Sequence, residues 1–165
     1  TIESNILYGN PDGSETEMKE AAAIAQASDF IEEKNKKYES RIAQGGANVS
    51  GGQKQRLSIA RAIAKQPDVF IFDDSFSALD YKTDVALRKA LKEHTTDSVV
   101  LIVAQRISTI LHAEQIIVLD EGKVVGRGTH EELLKTCEVY QQIAMSQLSE
   151  EELAGKLGKE EKSHE

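Results

Sequence analysis

Apolar and polar positions change rhythm along the chain. Residues 1–14 are short, polar and turn-rich, with the cluster GNPDG from Gly9 to Gly13 as a turn signal. From Glu15 to Ala27 the text ETEMKEAAAIAQA is rich in Ala and Glu and predicts a helix that Ser14 or Thr16 can cap. Asp29 to Lys37 predicts a second short helix, and YESRIAQGGANV a glycine-containing loop. Ser50 then opens a helix ending near Lys65, amphipathic from Leu57 to Ile63 and stopped by Gln66-Pro67.

Beyond that proline the pattern becomes continuous rather than periodic. Val69–Phe72 (VFIF) and Ser98–Ala104 (SVVLIVA) are apolar runs suited to strands buried on both faces, as in a parallel sheet. A helix from Lys82 to His94 separates them. RISTILHA reads as a short helix and QIIVLD as a third strand. EGKVVGRG reads as a turn with an antiparallel strand. THEELLK, with Thr129 as N-cap, and EVYQQIAMSQL are helical. The tail from Ser149 onward is charged and poor in apolar residues, which predicts a frayed or disordered end. Alternating helices and buried strands define an α/β layered domain. Three such strands are few for a free-standing sheet, so further sheet is expected upstream of Thr1.

Composition narrows the class. The 165 residues amount to at most one domain, with 39% hydrophobic and 29% charged residues, as in a soluble globular protein. A net charge of -8 argues against a nucleic-acid surface. No stretch reaches the roughly 20 apolar residues that span a bilayer, and no signal peptide appears. Cys137, the one cysteine, has no disulfide partner in the chain and reads as inert packing. His94, His112, His130 and His164 lack metal-ligand spacing. Lys54, Arg56, Tyr8 and Tyr38 read as solvated or packing residues.

Two stretches carry chemistry. In NVSGGQKQRLSIARAI, Ser50, Gly51, Gly52 and Gln53 stand where a helix begins. Unpaired N–H groups and the helix dipole attract anions there. Glycines let the backbone approach a ligand, and Ser50 and Gln53 add a hydroxyl and an amide. The simpler reading is an ordinary Ser-capped helix. In VFIFDD, an apolar strand ends in Asp73 and Asp74. Ligands of open parallel sheets bind at strand carboxyl ends, and Mg²⁺ is held by one or two carboxylates plus phosphates. The simpler reading has the paired acids capping the following turn.

Together these stretches resemble the ATP-binding domain of ABC transporters. VSGGQKQR (Val49–Arg56) resembles the signature motif and VFIFDD the Walker B strand. SALD (Ser77–Asp80) resembles the D-loop, and VAQRIST (Val103–Thr109) sits at the switch-histidine position. VLDEGKVVGRGTHEELL (Val118–Leu134) resembles the family's C-terminal strand pair and helix. The resemblance covers residues 1–148 and is nearest the exporter branch, whose ATP-binding domain follows a membrane domain on the same polypeptide. It implies part of a P-loop NTPase core with parallel strands plus the helical signature subdomain. The division is 1–66 for the helical subdomain, 67–148 for the second half of the core and 149–165 for the tail.

The resemblance also assigns roles. Ser50, Gly51, Gly52 and Gln53, with Asp80 facing the dimer partner, would contact ATP across a head-to-tail pair of ATP-binding domains; Asp80 read plainly is a turn aspartate. Asp73 would hold Mg²⁺, and Asp74 and Gln105 would be the catalytic pair at the chain's own ATP. The P-loop GxxxxGK[ST] is absent: Gly122-Lys123, Gly155-Lys156 and Gly158-Lys159 each lack the earlier glycine and the following Ser or Thr. The chain by itself is therefore expected to be inactive.

Two departures bear on turnover. The family usually has Glu at Asp74 and His at Gln105. Asp is a methylene shorter, a general base needs a reach of about 2.6–3.2 Å, and a shortfall near ~1 Å costs on the order of 100-fold. Gln donates a hydrogen bond but exchanges no proton. With an intact Ser-Gly-Gly-Gln core, this implies the degenerate-site subunit of a heterodimeric exporter at the cytoplasmic face of a membrane. In SRIAQGG, Gln44 and Gly45 replace the usual Glu and Arg of the loop that meets the membrane domain. The alternatives are an ATP-gated dimerisation or regulatory module and a soluble ABC ATPase.

Overall fold

The computed structural model describes residues 1–148; the tail from Ser149 onward lies outside the described residues. The chain divides into two compact units, Thr1–Val103 and a second beginning at Ala104.

The first unit begins with a helix that the sequence reading missed, α1 (Ile2–Ile6), where a turn-rich lead-in was expected. Ile2 and Ile6 stand four apart, share one face and are fully buried, and Thr1 and Ser4 form a capping box. GNPDG follows as a turn, closed by Gly13 N–H donating to Asn10 O at 3.0 Å. α2 (Glu15–Ile24) starts from a Ser14–Glu17 capping box, and α3 (Ser28–Glu32) is shorter than expected. Two 3-10 turns, Lys37–Glu39 and Gln44–Gly46, lead to α4 (Gly51–Ala64). β1 (Val69–Asp73), α5 (Tyr81–His94) and β2 (Val99–Val103) complete the unit.

β1 and β2 are parallel, in register from Val69↔Val99 to Asp73↔Val103. α1 and α2 pack on α4, and α2 also meets α5. One hydrophobic core, including Met18, Ile31, Ile59, Phe72 and Leu87, joins these helices to the inner face of the strands. At about 25 cal/mol per Å² this burial is the main stabilising term. Arg61 pins α1 by donating from Nε to Asn5 O (2.9 Å) and from Nη2 to Asn5 Oδ1 (2.8 Å).

The strands are not buried on both faces as expected. Phe70 and Phe72 point into the core, whereas Ile71 is 69% exposed and Val69, Val99, Leu101 and Val103 are also exposed. Their continuous apolar text reflects two apolar faces, of which the described residues bury one. Tyr8, expected to pack, is 78% exposed and lies beneath the Arg61 guanidinium, 5.8 Å from its ring centre.

The second unit holds α6 (Ile107–Ile110), β3 (Ile116–Asp120), β4 (Lys123–Gly128), α7 (His130–Thr136) and α8 (Glu138–Gln147). β3, counted with the parallel strands from sequence, instead pairs antiparallel with β4 across the Glu121-Gly122 turn, with a register shift at Val118/Leu119. A separate core of Ile107, Val118, Leu133, Cys137, Tyr140 and Ala144 holds the unit together. Cys137 is buried, and a Cβ on Gly126 would lie 2.7 Å from its Sγ.

Candidate functional site

The N-terminus of α4 is built by a capping box. Ser50 Oγ accepts the Gln53 N–H at 3.2 Å, and Gln53 Oε1 accepts the Ser50 N–H at 3.1 Å. Among the described residues, the Ser50 hydroxyl proton and the Gln53 side-chain NH₂ have no partner. They join the unpaired N–H groups of the first turn at the positive end of a 14-residue helix. This supply of donors is what an anionic phosphate requires.

The glycines have a use that sequence reasoning did not foresee. A Cβ on Gly52 would lie 2.9 Å from the Ala78 carbonyl oxygen, and one on Gly51 3.5 Å from the Ala78 side chain. Gly52 therefore lets α4 close against the chain's own turn after β1, apart from any ligand.

That turn carries both candidate carboxylates. Asp73 is the last residue of β1 and is exposed. Asp74 follows with φ +49, a left-handed conformation that Asp tolerates better than most residues. Its N–H donates to Val103 O at 3.2 Å, extending the β1–β2 ladder by one bond. Ser77 Oγ lies 3.1 Å from both Asp74 O and Asp74 Oδ2. Phe72, stacked on Phe70 (centroids 5.7 Å) and tilted on Phe76 (5.5 Å), anchors the turn from below.

Gln55, which the sequence did not single out, binds the same turn with both ends of its amide. Nε2 donates to Asp74 O and Ser77 Oγ, each at 3.1 Å, while Oε1 accepts the Ala78 N–H at 2.9 Å. Partners 19 to 23 residues distant leave no local signature. Asp80 caps α5. Its carboxylate accepts the Thr83 N–H (2.9 Å) and hydroxyl (2.7 Å), and these bonds hold it below the usual carboxylate range. Arg56 donates to Gln26 O at 2.7 Å and lies over Phe30 at 4.7 Å; burial lowers the pKa of its guanidinium.

Gln105 stands in the second unit and is described there by itself. Its side chain is exposed, and its carbonyl accepts from Gln147 Nε2 at 2.8 Å. Gln147 Oε1 accepts the Ile107 N–H at 2.9 Å, so α8 holds this loop by one amide. His130 and Tyr140 are buried together, Nδ1 and the phenol oxygen 2.8 Å apart, and burial pushes the Tyr140 phenol up to about 12. Among the described residues no group of three or more His, Cys, Asp or Glu side chains forms a metal cluster. Asp73 and Asp74 suit a hard cation that takes its remaining oxygens from phosphates and water.

This combination of helix terminus, acid-bearing strand end and mixed α/β layering is that of a nucleotide-binding ATPase core. The family model described as ABC transporter matches residues 1–77. An ABC transporter ATP-binding protein of Mycobacterium tuberculosis is 46% identical over 150 residues, covering 89% of this chain and 25% of that protein. A Staphylococcus aureus protein named for multidrug export, as an ATP-binding/permease protein, is 41% identical over 143 residues, covering 87% and 25%. A solved bacterial Atm1-family ABC exporter with ATP bound superposes with a TM-score of 0.87 at 33% identity, over 91% of this chain and 26% of that one. The chain is homologous to part of the ATP-binding domain of ABC transporters, exporters among them. It spans about a quarter of the length of the curated relatives it matches.

Proposed function

We propose that this chain works as part of the ATP-binding domain of an ABC exporter, with the α4 N-terminus facing ATP held by a second ATP-binding domain. The observation that carries this reading is the set of unpartnered donors at Ser50, Gly51, Gly52 and Gln53, presented by a helix that is itself tied to the Asp73–Asp74 turn. Asp80, at the cap of α5, would lie on the same partner-facing side. Asp73, Asp74 and Gln105 would serve the ATP of the chain's own domain. The exporter relatives support a membrane domain on the same polypeptide and a place at the cytoplasmic face of the membrane.

The residues fit this chemistry. Asp73 would hold Mg²⁺, which when bound offsets phosphate charge during in-line attack of water on the γ-phosphorus. Asp74 would orient and deprotonate that water. Gln105 would donate a hydrogen bond to the γ-phosphate without carrying charge or exchanging a proton. A short base and a neutral donor each favour binding with slow hydrolysis. Beside an intact signature helix, they favour pairing with an unlike, better-equipped domain.

The test is nucleotide-dependent association. Sedimentation of this chain with a second, P-loop-bearing ATP-binding domain should show a complex with Mg-ATP and none with Mg-ADP, and Ser50→Arg should abolish it. Calorimetric titration of the chain alone with Mg-ATP should show no saturable binding. Tight binding by the chain alone, or association indifferent to nucleotide, overturns the reading.

A further inference from the structure

The Gln55 side chain reaches 19 to 23 residues along the chain to its own Asp74–Ala78 turn. Both ends of the amide are engaged, with two acceptors at Nε2 and the Ala78 N–H at Oε1. Glu would lack the donors, Lys the acceptor, and Asn is a methylene short. Ser77 stands between Gln55 and the Asp74 carboxylate, within 3.1 Å of each. At Gly52 the helix backbone comes so near Ala78 that even a Cβ would crowd its carbonyl. Asp74 meanwhile sits at φ +49, a conformation that persists where its surroundings hold it. The first turns of α4 and the loop bearing Asp74 therefore form one connected piece.

We propose that Gln55 is a positioning residue that ties the N-terminal turn of α4 to the loop bearing Asp74, so that phosphate contact at Ser50–Gln53 sets where the Asp74 carboxylate stands. What touches Ser50–Gln53 rests on the function proposed above; the link itself does not. An event at one ATP would thereby reach the carboxylate serving the other through the Gln55 amide.

Amide hydrogen exchange of the full chain tests it, with Ser50→Ala, Gln55→Leu and the double variant compared with wild type. The readout is the Ala78 N–H, and the α4 amides of residues 57–64 serve as the control for folding. Gln55→Leu should speed Ala78 exchange by about tenfold with the control amides still protected. Ser50→Ala should speed Ala78 exchange in the wild-type background and add nothing in the Gln55→Leu background, the non-additivity of a coupled pair. Gln55→Glu, which keeps the acceptor, should restore most of the Ala78 protection. Ala78 exchange unchanged in Gln55→Leu, or equal effects of Ser50→Ala in both backgrounds, overturns the proposal. Coupled exchange in a chain that shows no nucleotide-dependent association would leave the link standing and remove the proposed function instead.

Discussion

Two glutamines hold the two loops that carry the candidate catalytic residues, and they hold them differently. Gln55 on α4 and Gln147 on α8 each use both ends of the amide, accepting one backbone N–H and donating to one backbone carbonyl. Around Asp74 the clamp continues through Ser77 to the carboxylate, so the side chain is ordered along with the backbone. Around Gln105 it stops at the backbone, and the Gln105 side chain stands exposed. The acid is placed by the fold, and the amide is left to be placed by whatever it meets.

Removing the footing of the ordered loop should have the largest effect. Phe72→Ala, which empties a site only 2% exposed, should cost about 3–5 kcal/mol. Urea unfolding followed by hydrogen exchange should show the loss in the first unit, with Tyr140 and its neighbours in the second unaffected. Sharpening both loops together comes next. In an assembled ATP site, Asp74→Glu with Gln105→His should raise turnover at that site by up to about 100-fold. Unchanged single-site turnover would remove the slow-hydrolysis mechanism. Gly52→Ala should cost about 1–3 kcal/mol, because its Cβ meets backbone rather than a flexible side chain. Gln147→Leu should cost only about 1–2 kcal/mol, freeing the Gln105 carbonyl and the Ile107 N–H.

The second unit carries a pH signature at Tyr140, larger than that of the first unit's Tyr38, whose phenol burial also raises. The Tyr140 phenol is pushed up to about 12 by burial, against about 10 in an unfolded chain. Between these values the unfolded state has lost a proton that the folded state keeps, so stability is complete below pH 10 and falls as pH rises toward 12. Thermal unfolding monitored in the second unit should show this decline, and Tyr140→Phe should abolish it.

Much of this architecture could be read from residues alone because its causes are local. The Ser50 cap, the helix behind it and the apolar strand ending in Asp73-Asp74 are each set by residues adjacent in sequence. α1 was missed because five residues make a weak periodic signal, although Ile2 and Ile6 are spaced for a single face. The strand faces were misjudged because apolar text records what a face is suited to cover, not what covers it. Gln55, Gln147 and the His130–Tyr140 pair were illegible for a different reason. Their partners lie 10 to 42 residues away, and an amide on a helix looks the same whether it meets water or a carbonyl.

The outer face of β1 and β2 has a practical consequence in the test tube. Val69, Ile71, Val99, Leu101 and Val103 line up as an exposed apolar strip on two adjacent strands. Such a strip is sticky toward its own kind. Dilution and low ionic strength, which leaves the repulsion between chains of net charge -8 unscreened, should keep the purified chain dispersed, whereas concentrating it should drive clustering through the strip before α4 or the second unit loosens. Light scattering against concentration would register that onset, and Ile71→Lys with Leu101→Lys should push it to higher concentration.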